Sequence, residues 1–339
     1  MHIVRPAEHR DIPALLELAA GLTQGVHTMA KTAAAIERAV ELSLNSFSSQ
    51  ADMPGEECYL FVLENTTDGQ LTGSAAITAL AGSRGTFFCF RNDVIQQVSR
   101  DLDISHSVHA LTLCADLTSY SQLSSFFVRK DHQLQPEAAL LSRARLMFAA
   151  IKPERFGEHF FVSLAGYTDA EGHSPFWEAL GRKFFRKNFL EAERLVDGAR
   201  NRTLIVELMP HYPVYVPLLP GDAQAAMGQV HPESEVPFEL LTKEGFASDD
   251  FIDIFDGGPI LQASKHSLHS FMHGLHLTVA AGDQLAEGGV TYLVAGMSDF
   301  RATLVQSTSL ENSRHIRLSL ATRQALKLDI GDEVVCVPL

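Results

Sequence analysis

A histidine on a loop is the side chain of this sequence best suited to acid–base chemistry. His231 lies within Gly228–Pro232, just before an amphipathic segment that begins at Pro237. The unperturbed pKa of histidine is about 6.5, so the ring can accept and donate a proton near neutral pH. The sequence therefore predicts that His231 transfers a proton in a reaction.

Two elements are predicted to hold this loop in place. Residues 237–245 have the spacing of a short helix, with Phe238 and Leu241 on its buried side. Gly245 is suited to end that helix, because glycine enters the left-handed region without strain. The apolar run Phe251–Phe255 predicts a strand, which the turn residues Asp256–Pro259 close.

Four segments of the chain resemble the bacterial arginine N-succinyltransferases. They are the histidine loop, Phe251–Pro259, Ser174–Trp177 and Glu207–Pro213. The resemblance extends from Met1 to the C-terminus. Within the family it is to the alpha subunit of an arginine/ornithine succinyltransferase, which acts beside a homologous beta subunit.

This resemblance implies an N-acyltransferase that works in arginine catabolism. It would move a succinyl group from the cosubstrate succinyl-CoA to the α-amine of arginine or ornithine, without a cofactor or metal. The proton-donating histidine of the family corresponds to His231, and a succinyl-CoA contact corresponds to Phe126. The departing thiolate benefits from a proton donor, because its reference thiol pKa is about 8.5. The implied partner is a homologous beta subunit or further copies of this chain.

A strand followed by a helix is predicted to bind the acyl carrier. Leu123–Val128 has the pattern of a strand and Ala138–Ile151 that of a helix. Acyl-CoA N-acyltransferases, which the chain resembles here, hold the pyrophosphate of coenzyme A with backbone amides at such a helix start. The residues predicted to bind succinyl-CoA are Phe126, Phe127, Val128, Gln133 and Ala138.

The same junction departs from the superfamily pattern at two positions. Pro136 replaces a glycine and lacks an N–H donor, and Glu137 places a negative charge where a phosphate is expected. A second hypothesis follows from this departure. The chain would be a non-catalytic partner that stabilises or regulates an active beta subunit. Further along the helix, Arg143 and Arg145 are interpreted as a solvated or ion-paired face.

The acceptor amino acid has fewer candidate contacts. The loop 21–30, which contains His27, is a candidate for arginine contacts by the resemblance. The carboxylates of Glu207, Asp253 and Asp256 can pair with a guanidinium, but caps and turns explain them equally well. The pair His269 and His273 is interpreted as structural, since no Glu-x-x-His or cysteine context accompanies it.

The fold class predicted is α+β, an acyl-CoA N-acyltransferase-like mixed sheet with helices. Two helices come early, the second over 31–44, and a hairpin follows over 58–80. Residues 94–102 are predicted to be helical or irregular, and 202–209 to be a strand. A weak repeat relates residues 175–185 to 237–246, which indicates a duplicated core.

Three regions are predicted along the chain. Residues 1–198 form an acyltransferase-like domain, and 199–262 form a second acyltransferase-like half that carries His231. Residues 263–339 contain short strands separated by turns, which indicates a small β-barrel subdomain.

The amino-acid composition argues against several other classes of function. The net charge of −14 argues against a nucleic-acid surface. Four cysteines without a Cys-x-x-Cys pair are typical of buried, reduced thiols. Neither a signal peptide nor a membrane-spanning run is evident, so we expect a cytoplasmic protein without membrane or nucleic-acid partners.

Overall fold

The computed structural model describes residues 1–23, 25, 31–133, 136–196, 207–282 and 289–339. The described strands, in chain order, are β1 His2–Pro6, β2 Cys58–Asn65, β3 Leu71–Thr78, β4 Cys89–Ser99, β5 Ile104–Cys114, β6 Ser121–Val128, β7 His159–Ser163, β8 Val214–Tyr215, β9 Ala247–Ile252, β10 Pro259–Ser264, β11 Leu275–Ala281, β12 Val290–Gly296, β13 Ala302–Ser307, β14 His315–Leu318 and β15 Glu333–Pro338. The described helices are α1 Ile12–Ala20, α2 Ala33–Ser48, α3 Pro136–Ile151, α4 Pro175–Ala179, α5 Gly181–Phe185, α6 Phe189–Val196, α7 Gly221–Ala226, α8 Glu235–Glu244, α9 His269–Met272 and α10 Leu320–Leu326.

All fifteen described strands belong to one mixed sheet. Its order is β14-β11-β15-β12-β13-β1-β2-β3-β6-β7-β10-β9-β4-β5-β8. Most neighbours are antiparallel, whereas β6–β7 and β11–β14 are parallel. This confirms the mixed sheet with helices that the predicted α+β fold class requires. None of the described helices combines the length and apolar composition that a bilayer crossing requires.

Helix α3 is buried on nearly all of its sides. Pro136 is its first residue, where the missing N–H of proline costs no helical hydrogen bond. Ten of its 16 residues are buried, so it lacks the wide polar face of a surface helix. Its apolar residues join the largest core cluster together with those of β2, β3 and β7. This burial fixes α3 rigidly beside the central strands.

Three local predictions are wrong. Residues 94–102 are part of a long hairpin, because β4 and β5 pair continuously from Cys89↔Cys114 to Ser99↔Ile104. The strand predicted over 251–255 ends at Ile252, and the buried Ile254 and Phe255 lie in a turn. Of the strand predicted over 202–209, residues 202–206 lie outside the described part, and Glu207 and Leu208 are helical.

The C-terminal strands lie at one end of the sheet. β13 pairs with β1 through Ile3↔Thr303, so residues 1–6 connect the C-terminal strands to the central ones. The described pairings confirm neither a barrel over 263–339 nor a duplicated core. The repeated glycines also differ: Gly245 ends α8 at φ 111°, whereas Gly181 begins α5 against the ring of Trp177.

Candidate active site

A cleft opens where the parallel strands β6 and β7 separate. They pair at Ser121↔Phe160 and Gln122↔Phe161, and beyond these positions the described residues form no further β6–β7 pairs. β6 continues for six residues to Val128, whereas β7 ends at Ser163 and pairs with β10 along its whole length. Separated strands leave backbone groups facing the gap, and such groups need hydrogen-bond partners.

A β-bulge in β6 changes the direction of the strand at this cleft. Ser74 of β3 pairs with Phe127 and Ala76 pairs with Ser124, so Ser125 and Phe126 together oppose the single residue Ala75. Ser125 has a φ of 53°, a conformation that is uncommon for serine and is stabilised here by the bulge. The carbonyl of Ser125 accepts a hydrogen bond from Ser74 Oγ at 3.2 Å.

The five residues predicted to bind succinyl-CoA all line this cleft. Its empty volume is about 660 Å³, open solvent at its mouth included. The opposite wall contains Ser163, Ala165 and the first turn of α8. Gln133 Nε2 donates to the carbonyl of Val128 at 3.1 Å, which ties the end of β6 to the loop before α3. The predicted residues on the cleft are Phe126, Phe127, Val128, Gln133 and Ala138.

The structure places His231 at the border of the cleft. Its backbone N–H donates to the carbonyl of Ala165 at 2.8 Å, and Val230 forms a β-bridge with Gly166. The side chain of His231 is half-buried, and Glu233 and Ser234, which follow it, line the cleft. The loop is therefore joined to the end of β7, although the cleft wall does not include His231 itself.

The ring of His231 caps the short 3₁₀ turn Pro232–Ser234. Its Nδ1 accepts a hydrogen bond from the backbone N–H of Glu233 at 3.2 Å. Since Nδ1 is the acceptor, the neutral ring carries its proton on Nε2. Burial lowers the pKa of His231, and the nearby carboxylate of Glu233 partly opposes this. Near neutral pH the ring is therefore a neutral Nε2–H donor, a group suited to an oxyanion or a departing thiolate.

The two aspartates of the following turn support the loop. Asp256 accepts hydrogen bonds from the backbone N–H groups of Gly166 at 2.7 Å and Gly258 at 2.8 Å. Asp253 accepts from the N–H of Phe255 at 2.7 Å and from Ser163 Oγ at 3.2 Å. Burial and the neighbouring Asp253 raise the pKa of Asp256 to about 7. Of the two interpretations of these carboxylates, the hydrogen bonds favour a role in the turn.

Glu207 does not line the cleft, and His27 lies outside the described residues. Glu207 is exposed, next to the part of the chain that the structure leaves undescribed. Residues 26–30, which include His27, and residues 134–135 also lie outside the described residues, so the contacts predicted for them are not tested.

The departures at the start of α3 have a structural explanation. Glu137 Oε1 lies 3.1 Å from Nδ1 of His2, so its carboxylate is paired with a side chain of β1. Burial lowers the pKa of His2, so near neutral pH its ring is a neutral contact of this carboxylate and not a counter-charge. Pro136 removes one N–H, but the following residues keep theirs at the helix start.

The interpretation of Arg145 as a solvated or ion-paired residue is wrong. Arg143 is ion-paired as predicted, with its Nε 3.0 Å from Glu244 Oε2. Arg145 is instead 1% exposed and lines the cleft. None of its hydrogen-bond acceptors in the described chain is a carboxylate. Its position seven residues after Ala138 places both on one face of α3, and this spacing was the available signal.

Comparisons with known proteins agree along the whole chain. The family model described as arginine N-succinyltransferase beta subunit matches residues 2–270, and the model for the C-terminal domain of that subunit matches residues 276–338. The arginine N-succinyltransferase subunit alpha of Pseudomonas aeruginosa is 42% identical over 336 residues, which are 98% of each chain. Subunit beta from the same organism is 33% identical over 99% of this chain and 98% of its own.

A solved structure has the same fold. The arginine/ornithine succinyltransferase subunit AI from Pseudomonas aeruginosa aligns with a TM-score of 0.91 at 39% identity, and the alignment covers 100% of this chain and 98% of that one. The arginine N-succinyltransferase of Yersinia pseudotuberculosis is 35% identical over 344 residues, 99% of this chain and 97% of the relative. With these matches, the chain belongs to the arginine N-succinyltransferase family.

Proposed function

We propose that this protein transfers the succinyl group of succinyl-CoA to the α-amine of arginine or ornithine. One observation carries the proposal: five residues predicted to bind succinyl-CoA line one cleft, and the His231 loop borders it. Relatives that align with this chain over nearly their whole length are named arginine N-succinyltransferases. Succinyl-CoA is a cosubstrate here, and the reaction needs no resident cofactor.

Different parts of the cleft bind different parts of succinyl-CoA. The first turn of α3 receives the phosphates of coenzyme A, where unpaired backbone N–H groups favour an anion. The pantetheine arm lies between β6 and β7 and pairs with the backbone near the bulge at Ser125 and Phe126. The thioester carbonyl then lies toward the His231 loop.

The reaction requires one bond to form and one to break. The neutral amine attacks the thioester carbonyl carbon, the C–N bond forms, and the C–S bond breaks. The amine loses a proton and the departing thiolate gains one, so coenzyme A leaves as a thiol. His231 Nε2–H stabilises the negative charge that develops on oxygen or sulfur during these steps.

The test is an assay of succinyl-CoA-dependent acylation of arginine and ornithine. The chain is assayed alone and mixed with a homologous beta subunit, each time as wild type and as His231→Ala. Loss of activity in the variant supports the proposal. Absence of activity in every wild-type mixture, or full activity of a mixture with His231→Ala, overturns it. The alternative of a non-catalytic partner is not favoured, because alpha and beta relatives align over the same full length.

A protruding hairpin supports the proposal that the chain associates with a homologous chain. β4 pairs with β9 at Phe90 and Arg91, and β5 pairs with β8 at Ala110 and Leu111. The outer residues 93–109, here called the hairpin arm, form a two-stranded ribbon within the described pairings. Such ribbons are marginally stable alone in water. Apolar side chains along the arm, from its base to its tip, are 45–70% exposed: Val94, Val98, Leu102 and Ile104.

Changing this arm tests association directly. We expect Val98→Lys combined with Leu102→Lys to shift the molar mass measured by light scattering toward the monomer. Leu320→Lys, at an exposed leucine far from the arm, is the matched control and leaves the mass unchanged. If the wild type is monomeric alone and with a homologous subunit, association is excluded.

Two finer predictions remain proposals. A cytoplasmic location is consistent with the four cysteines being free, including Cys89 and Cys114, whose sulfurs lie 3.5 Å apart without a disulfide. The duplicated core rests on the weak repeat, and the division at residue 262 rests on the short strands separated by turns that follow it.

A further inference from the structure

Arg145 carries a buried charge that no carboxylate of the described residues neutralises. Its guanidinium donates four hydrogen bonds of 3.3–3.4 Å, all to neutral oxygens of Ala76, Ser124 and Ser142. These distances lie beyond the usual 2.7–3.2 Å range for N–H···O bonds. The ring of Phe126 lies 5.3 Å from Cζ and adds a cation–π contact. The contacts hold the side chain in place but supply no negative charge.

Arg5, the other arginine that is buried among the described residues, has carboxylate partners. Arg5 is 2% exposed, and its guanidinium pairs with Asp11 and Glu64. The half-buried Arg143, two residues before Arg145 on α3, pairs with Glu244. Glu233, the carboxylate on the described cleft wall, is engaged by Thr23 Oγ1 and Lys130 Nζ. Burial lowers the pKa of Arg145 to about 9, which still leaves it charged at neutral pH.

A buried charge without a partner is unfavourable, and a ligand can correct this. Desolvation of an isolated ion costs several kcal/mol even after relaxation of the protein. An anionic group that enters the cleft gains a preorganised partner that is already desolvated, and guanidinium geometry matches a carboxylate.

The position of Arg145 along α3 identifies which part of the ligand it meets. Ala138 and Arg145 lie on the same face, about 10 Å apart along the axis. Ala138 is in the first turn, where the phosphates are proposed to bind. Arg145 contacts Ser124 and Phe126, at the bulge of β6 on the opposite end of the same wall. The acyl end of an acyl-CoA therefore points toward Arg145.

We propose that Arg145 binds the distal carboxylate of the succinyl group and selects succinyl-CoA over uncharged acyl-CoAs. The inference rests on the proposed function, because it assumes that an acyl-CoA occupies the cleft. A neutral acyl group leaves the guanidinium without its anion. A site built around a buried charged group rejects such analogues strongly.

The test compares succinyl-CoA with butyryl-CoA, a four-carbon acyl donor that lacks the carboxylate. The wild type is expected to prefer succinyl-CoA by at least about 100-fold in kcat/KM, as for other buried charge pairs. Arg145→Met keeps an unbranched apolar side chain, and we expect it to abolish most of that preference. Arg145→Lys keeps a charge but not the planar fork, and we expect it to retain part of the preference.

Two controls separate the possible outcomes. Arg143→Met, on the same helix, removes an arginine that has its own partner, and it is expected to lower both activities by the same factor. Binding of coenzyme A without an acyl group is expected to stay within about twofold in Arg145→Met. If Arg145→Met does not fold, the ratio of kcat/KM for succinyl-CoA to that for butyryl-CoA in Arg145→Lys tests the role of Arg145.

The outcomes also separate this inference from the function on which it rests. If the wild type neither binds nor uses succinyl-CoA, the proposed function fails. If the wild type uses succinyl-CoA but shows no preference over butyryl-CoA, or if the Arg145 variants keep the preference, only the role of Arg145 is overturned.

Discussion

The two walls of the cleft are built in different ways. The carrier wall, β6 and α3, is one continuous stretch of chain over 121–151, and its helix lies in the main core. The reaction wall combines three separate segments: the end of β7 with Gly166, the His231 loop, and the turn 253–258. Asp256 and Gly166, which hold these segments together, are 90 residues apart in sequence.

This difference indicates a division of labour. The carrier wall positions a long ligand through backbone groups and a buried arginine, and its rigidity comes from apolar packing. The reaction wall positions one imidazole through polar contacts, including two buried carboxylates. We therefore expect changes in the carrier wall to alter binding and changes in the reaction wall to alter turnover.

The largest effect is expected from His231. His231→Ala is predicted to lower kcat by about 10²–10⁴ while the Kd for coenzyme A stays nearly constant. His231→Asn keeps a side-chain acceptor for the N–H of Glu233, so it preserves the cap but not the acid–base group. Steady-state kinetics and calorimetry on both variants check this. Wild-type turnover in the Asn variant would reduce His231 to a structural cap.

The pH profile gives a second measure of the same residue. Burial lowers the pKa of His231, so the ring stays neutral at lower pH than a free histidine. If the neutral ring is the active form, kcat falls only below about pH 6.5 as acid protonates it. The acidic limb is expected to disappear in His231→Asn.

Two glycines allow each wall to be disturbed separately. A Cβ on Gly73 would lie 2.6 Å from the carbonyl oxygen of Phe127, on the carrier wall. A Cβ on Gly166 would lie 2.7 Å from both the Asp256 carbonyl oxygen and the Gly258 nitrogen, on the reaction wall. Gly73→Ala is predicted to weaken binding of coenzyme A by about tenfold or more. Gly166→Ala is predicted to lower kcat by up to about 100-fold, because a shift of about 1 Å misplaces the imidazole.

A third glycine is the matched control for both. Gly221 has no atom within 4 Å of a Cβ, so Gly221→Ala should change neither quantity. Calorimetric Kd values and kcat are measured for all three variants after their folding is verified by circular dichroism. Equal effects of Gly73→Ala and Gly166→Ala on both quantities would contradict the division between the walls.

The smallest effect concerns stability. The pKa of Asp256 is raised to about 7, above the value of about 3.9 for an unfolded chain. The folded state thus binds this proton more tightly than the unfolded state does. The stabilisation that the Asp256 proton provides is complete below about pH 4 and is lost as the pH rises through 7. We expect a loss of roughly 1–3 kcal/mol in the free energy of unfolding from this group.

Urea unfolding between pH 4.5 and 7.5 measures this contribution. Asp256→Asn cannot ionise, so the variant should show a flatter dependence on pH than the wild type. A parallel dependence in both proteins would show that Asp256 is ionised throughout. The carrier wall has no comparable buried acid among its described cleft residues, and its variants should retain the wild-type slope.

The sequence predicted the carrier wall better than the reaction wall for a physical reason. The strand Leu123–Val128 and the helix Ala138–Ile151 follow from local patterns, and the family resemblance implied that Phe126 and Ala138 share one site. The contact of His231 with Ala165 and the roles of Asp253 and Asp256 depend on distant pairing of β7 with β10, which no local pattern encodes. The structure places His231 near the cleft, while its chemical role remains a prediction.

The two clearest errors have the same origin. Residues 94–102 contain polar and charged side chains typical of irregular structure, but pairing with β5 makes 94–99 a strand, and 100–102 lie in the hairpin turn. An arginine on a helix is usually solvated, but α3 is inserted into the core and Arg145 is therefore buried. In both cases tertiary contacts override local preference.

The most direct test is a crystal structure of the protein with a non-reactive thioether analogue of succinyl-CoA. We predict that its pantetheine arm lies between β6 and β7, with the carboxylate within hydrogen-bond distance of the Arg145 guanidinium and the sulfur on the side of the His231 loop. An analogue bound elsewhere, or one with its carboxylate turned away from Arg145 and its sulfur far from the His231 loop, would contradict the account.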